Sequence, residues 1–181
     1  AASDDRRFFH APDIVHSYDE FGDFDGVLIQ SGNREDPNEI LVENALFYIK
    51  DRQIATGSAT VRAENTVRNP AGRFHYTDLL DQTTCILGSE EAGTGEDGDS
   101  LACADRGLNS GWKLRFAEPG EKGLSTPLTD GGRVFASTFI PGDATPCSGR
   151  QGRGLLHIVQ LANATAVANQ QRQYEIGPDI P

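Results

Sequence analysis

Short apolar runs separated by turn residues organise this chain. Gly26-Val27-Leu28-Ile29 is a run suited to a buried strand, and it gives way abruptly to Gln-Ser-Gly-Asn-Arg-Glu-Asp-Pro at residues 30–37. Around it lie HAPDIV, FDGVLIQSG and NALFYIKD, three β-like pieces in order. Later STPLTD, GGRVFASTF and GLLHIVQL repeat that order. Each triplet opens with a small residue and Pro, passes through a Gly turn into an apolar run ending in Ser or Thr, and closes on a third strand. β-branched and aromatic enrichment bounded by Gly, Pro, Asn and Asp predicts strands. Pro12 aligns with Pro127, Val27 with Val134, and Leu46 with Leu155.

GWKLRF (residues 111–116) alternates strictly. Trp112, Leu114 and Phe116 share one face, while Lys113 and Arg115 share the other, so a strand with a wet outer face is expected. Units of three or four antiparallel strands that recur predict an all-β fold of β-propeller blades or a β-sandwich. The blade-like units fall near residues 8–53 and 111–168, with a loop-rich insertion near 54–110. Within that insertion, FHYTDLLDQTTCIL reads as strand or short helix, and SEEAGTGEDGDS as a solvated loop. Two blades cannot close a ring, so residues 1–181 read as part of one larger propeller.

Composition agrees with many short strands. Of 181 residues, 20 are Gly and 9 Pro, and the apolar fraction is 37%. The net charge of −11 disfavours nucleic acid and anionic membranes, since phosphates would be repelled. Residues 81–105 hold seven acids and no Lys or Arg, leaving 20 acids against 16 bases elsewhere. The excess therefore belongs to one segment. No apolar stretch reaches the roughly 20 residues that span a bilayer.

Candidate chemistry is sparse. Five residues separate His10 and His16, a spacing zinc pairs use, but no Cys or third His lies nearby, so His10, His16, His75 and His157 read as ordinary surface or strand histidines. SGRQGRG lacks the Gly-Lys-Ser/Thr ending of a phosphate loop and reads as a turn. GLSTP lacks the second Gly of a nucleophile elbow. Asn163-Ala164-Thr165 fits the N-glycosylation pattern. No catalytic, cofactor-binding or metal residue is assigned. In the NREDP string, Gly32 and Asn33 are expected to supply positive φ, Pro37 to fix the exit, and Arg34 to pair with Glu35 or Asp36.

DFDGVLIQSGNREDP, then GWKLRF, GEKGLSTPLTDGGRVFASTFIP, a Cys, a Gly-rich turn and IGPDIP form an ordered series. The series resembles the C-terminal β-propeller of the PilC/PilY family of type IV pilus tip-associated adhesins, over most of residues 8–181 outside the acidic insertion. The resemblance implies a non-enzymatic pilus biogenesis and adhesion protein, extracellular at the pilus tip or bacterial surface. The implied partners are the remainder of the propeller, minor pilins or the pilus tip, and a host or surface ligand. A quinoprotein-like propeller dehydrogenase is the enzymatic alternative, but a single Trp does not supply its repeated indole motif.

Many members carry a calcium loop of D-x-D-x-D type. Setting Asp23, Asp25 and Gly26 at loop positions 3, 5 and 6 puts Phe21 and Gly32 where ligands are required, so family calcium is expected elsewhere. Of the acidic segment, only Glu96, Asp97 and Asp99 are close enough in sequence to start a cation cage. In an exported protein Cys85 and Cys103 are expected to form a disulfide around the acidic segment, worth about 3 kcal/mol. Two buried thiols are the alternative. Cys147 is then free or paired outside the chain.

Overall fold

The computed structural model describes residues 5–52, 75–85, 110–142, 152–167 and 171–176. They build two sheets, and all pairings are antiparallel except one. In the first sheet, β1 (Asp13–Asp19), β2 (Gly22–Gln30), β3 (Ala45–Asp51), β4 (Leu80–Asp81) and β5 (Gly111–Arg115) take the order β1-β2-β3-β5-β4. The β4–β5 pair is the parallel one. In the second, β6 (Lys122–Gly123), β7 (Leu128–Asp130), β8 (Arg133–Ile140), β9 (Arg153–Gln160) and β10 (Gln173–Ile176) take the order β10-β9-β8-β6, with β7 also on β8. The fold is all-β and neither sheet is closed.

Alternation explains the core. Phe24, Leu28, Leu46, Tyr48, Trp112, Leu114 and Phe116 from the first sheet meet Val134, Ala136 and Val159 from the second. Trp112 is wholly buried, and its Nε1 donates to Leu161 O at 2.8 Å across the seam. Val27 and Ile29 point to the opposite face, where Ile29 packs on Ala45, Phe47 and Leu79. Phe135 and Ile158 likewise sit half-buried on the outer side of the second sheet. A pleat places neighbours on opposite faces, so these consecutive apolar residues do not share one interface.

The two triplets keep one register. Asp13 pairs with Leu28 and Ile14 with Val27; at the aligned positions Leu128 pairs with Phe135 and Thr129 with Val134. The lead-in segments match as well: Gly32 N donates to Arg7 O, and the aligned Lys122 pairs with Phe139. The third strand is displaced by one residue from the sequence alignment. Val27 pairs with Ile49 and Val134 with Val159, so Leu46 corresponds to Leu156 and not to Leu155. Burial is opposite at matched sites. Leu28 is fully buried where Phe135 is half-buried, and Val134 is fully buried where Val27 is half-buried. Matched faces thus point the same way, and the sheets stack head to tail.

One expectation changes. The outer face of GWKLRF is only partly wet: Lys113 is 7% exposed, because residues 75–85 lie over it, while the Arg115 side chain stays 38% exposed. The Lys113 ammonium donates to Tyr76 O at 2.9 Å and sits 3.7 Å from the Tyr76 ring centroid. Of FHYTDLLDQTTCIL, read as strand or short helix, the described residues 75–85 form a 3-10 turn (Tyr76–Asp78) followed by the two-residue strand β4.

Candidate functional site

The most constrained chemistry lies in the seam between the sheets, on the Gly120-Glu121-Lys122-Gly123 stretch that leads into the second one. Gly120 takes φ +73°, which turns the chain inward and buries both charged neighbours. Glu121 Oε1 accepts from Thr138 Oγ1 at 2.6 Å and lies 2.8 Å from His157 Nε2. His157 Nδ1 faces Gln173 Nε2 at 3.5 Å, and Phe116 lies against the imidazole with ring centroids 5.2 Å apart. Burial raises the Glu121 carboxyl, but the bonds from His157 and Thr138 and the charge of His157 outweigh it and hold it below its ordinary 4.5. A hydroxyl, an imidazole and a carboxylate are together here. However, the His157 and Glu121 side chains are 1% and 0% exposed, and Thr138 spends its proton on the carboxylate. Nothing can reach these atoms from solvent, so the trio ties the lead-in segment to β8 and β9.

Lys122 does the complementary job. Its ammonium is fully buried and donates to Asp36 O at 3.1 Å and Glu39 O at 2.7 Å. Burial pulls its pKa down, against the opposing charges of Glu39 and Asp36. The polar string after β2 is therefore a loop held from beneath. Asn33 Oδ1 accepts from the amides of Glu35 and Asp36, Asp36 Oδ1 from Asn38 N, and the Glu39 carboxylate from Leu41 N and Val42 N. Neither Gly32 nor Asn33 takes the expected positive φ. Gly32 is required for another reason: a Cβ there would lie 2.2 Å from Gly123 O. Arg34 forms no pair among the described residues; the ion pair at this turn is Arg7 with Glu35, at 3.4 Å. Beside the loop, Gln30 Nε2 donates to Ser125 O at 2.7 Å and Ser137 O at 3.1 Å, and Asn44 Nδ2 to Glu121 O.

A second charged group closes the far end of the first sheet. Asp19 receives Lys50 at 2.8 Å and Arg52 at 2.6 Å, and both cations lie over Phe24. Burial raises the Asp19 carboxyl, but the bonds from Arg52, Lys50 and Phe21 N bring it to about 2.

The other sequence-derived positions fall as follows. Cys85 is disulfide-bonded. Its expected partner Cys103 lies outside the described residues, as do Cys147 and the acids Glu90, Glu91, Glu96, Asp97, Asp99 and Asp105. Asp81 finds a base from beyond the acidic run, Arg115 at 3.0 Å. Asp25 pairs with His16 at 3.0 Å. Among the described residues, no group of three or more His, Cys, Asp or Glu is placed to hold a metal ion. Sequence reasoning missed Glu121 and Lys122 as structural groups and took His157 for an ordinary strand histidine. One signal pointed to His157: it alternates with Leu155 and Val159 on a buried face, and a buried imidazole demands a partner.

No family model and no solved structure matches this chain. A 51-residue stretch is 39% identical to a type IV pilus biogenesis factor PilY1 homolog of Xylella fastidiosa (strain Temecula1 / ATCC 700964). That stretch is 28% of this chain and 3% of the Xylella protein. Over that part, the chain is similar to a PilY1-type protein.

Proposed function

We propose that this chain is a section of a β-propeller in a type IV pilus biogenesis and tip adhesin protein of the PilC/PilY kind. In this reading it acts at the outer surface of a bacterium, without catalysis, by holding together a surface that other proteins bind. The similarity to the PilY1 homolog carries the reading. The repeated register adds support for the propeller, because head-to-tail stacking leaves an apolar face of the second sheet half-buried and suits a further blade there. Half-buried Phe135, Leu156 and Ile158 form such a face on the second sheet. The seam then has a plain role. Lys122 fixes the second sheet to the β2–β3 loop of the first, Glu121 and His157 hold the lead-in segment to β8 and β9, and a Cys85–Cys103 bridge, expected from the sequence, would tie down the acidic insertion. The remaining blades, minor pilins and a surface ligand are the partners.

Deleting the gene in its own bacterium tests the reading. Surface pili counted by electron microscopy, and adhesion of the cells, should both fall strongly and return with the intact gene. Unchanged piliation and adhesion in the deletion strain would refute it.

A further inference from the structure

We propose that the Asp36–Pro37 peptide bond is a self-cleavage site, at which the Asp36 carboxylate attacks its own main-chain carbonyl while buried Lys122 holds the carbonyl oxygen. The inference stands apart from the pilus reading, since it uses only groups of the β2–β3 loop and the seam. Asp36 is the one Asp in the chain that is followed by Pro. The bond between them is a tertiary amide, and its nitrogen, more basic than that of an ordinary peptide, leaves readily once protonated. Lys122 Nζ donates to Asp36 O at 3.1 Å from a fully buried side chain. An ammonium in that place draws electron density from the carbonyl carbon. It also stands ready for the charge that collects on the oxygen during attack, and its burial keeps water from screening it.

The nucleophile is turned towards the same bond. Asp36 Oδ1 accepts from Asn38 N at 3.2 Å, and the ring closed by that hydrogen bond contains the Asp36–Pro37 bond. Carboxylate and carbonyl belong to one residue, so no encounter between them is needed. Asp36, Pro37 and Asn38 are exposed, which gives water and protons access. In the reaction, a carboxylate oxygen of Asp36 bonds to its own carbonyl carbon, and the negative charge passes to Asp36 O against Lys122. The C–N bond then breaks. Pro37 N takes a proton from solvent and becomes a free amine terminus, and Asp36 is left as a cyclic anhydride. Water opens the anhydride to a pair of carboxyl groups. The sum is the hydrolysis of a single peptide bond by a single water, with no oxidant or cofactor, and it occurs once per chain. The cut falls between β2 and β3, whose pairing from Asp25–Asp51 to Gln30–Leu46 holds the pieces together.

The test uses the full-length protein, purified from its own bacterium with protease inhibitors and kept in weakly acidic and in neutral buffer. N-terminal sequencing and mass spectrometry should find a new terminus, Pro37-Asn38-Glu39, that accumulates at a rate independent of protein concentration. The folded protein should cut itself roughly tenfold or more faster than the same protein in urea, a modest share of what an oxyanion donor supplies in an enzyme. Asp36→Ala and Pro37→Ala change exposed positions and should stay intact. Lys122→Met, confirmed as folded by circular dichroism, should fall to the rate seen in urea. Hydroxylamine present during the reaction should leave a hydroxamate on Asp36, a product that cleavage by a contaminating protease does not give. Cutting at this bond no faster in the folded than in the unfolded protein overturns the inference, as does a cut that survives Asp36→Ala. A cut that forms without the hydroxamate overturns the anhydride route, and a folded Lys122→Met that cuts at the wild-type rate overturns the part given to the ammonium.

Discussion

At the scale of single residues, a buried carboxylate of the seam contributes to the acid behaviour of the chain. Glu121 is held below its ordinary 4.5 in the folded state. A carboxyl whose folded pKa is depressed contributes stability that is complete above its unfolded value and lost as pH falls through the folded one. Asp19, moved from 3.8 to about 2, adds a second loss lower on the scale. Urea unfolding should therefore give constant contributions from both groups above pH about 4.5 and a decline beneath it. Glu121→Gln should cost about 2 kcal/mol at neutral pH, the scale of a hydrogen bond to a charged group, and should remove the upper part of the decline. A variant that keeps the wild-type acid profile would show that Glu121 is not its source. Lys122→Met should also cost roughly 2 kcal/mol, since two loop carbonyls lose their donor while a desolvated ammonium is removed. Amide exchange should then quicken at Leu41 and Val42 and stay unchanged in β8. These partners were not legible in the sequence, because Glu121 meets His157 across 36 residues and Lys122 reaches Glu39 across 83. Only the pleat parity of His157 hinted at burial.

At the scale of elements, turn chemistry and alternation were legible, and the close approaches between elements were not. The Gly131-Gly132 pair joins β7 to β8 with φ of +53° and +76°, the two-residue turn that such a dipeptide favours. The strands of both triplets formed where alternation and turn residues placed them. The third strand slipped by one residue relative to the alignment, because matching Leu46 to Leu155 by residue type does not fix which face is buried. GWKLRF misled for a similar reason. Its charged face would be wet in an isolated hairpin, but residues 75–85 fold over it, and Lys113 finds Tyr76. Gly32 shows a need that local conformation does not reveal. The turn asks for no positive φ there, yet the lead-in strand passes within reach of any side chain. Gly32→Ala should therefore destabilise by about 2–3 kcal/mol, as overpacking against unyielding backbone does. Gly22→Ala meets no atom within 4 Å and should cost only its conformational strain, about 1 kcal/mol. Comparable losses for the two in chemical denaturation would mean that the β2 end can move away from Gly123.

At the scale of the whole molecule, the decisive feature is that matched faces of the two sheets point the same way. A sandwich with a two-fold axis would bury matched faces against each other and be finished. A head-to-tail stack is never finished by two members, since each end repeats a face already used inside. Leu28 is sealed by the second sheet, and its counterpart Phe135 is left half-buried beside Ile158. The repeat itself could be read from the residues, but the direction of stacking could not, because direction appears only as opposite burial at matched positions. This gives a test that separates an open stack from a completed fold. Ile158→Lys places a charge on the half-buried outer face of the second sheet. In the 181-residue chain the lysine stem can lie along that face with its head in water, so the cost should stay near 1 kcal/mol or less. In a longer chain that continues the stack, the same ammonium is enclosed between sheets without a partner, and the cost should rise to roughly 3 kcal/mol or more. Val134→Lys, on the face already sealed, should be severe in both chains and serves as the reference. Unfolding by urea measures all four proteins. Equal costs for Ile158→Lys in the short and the extended chain would mean that no further sheet covers this face, and the propeller reading would have to be abandoned for a two-sheet fold.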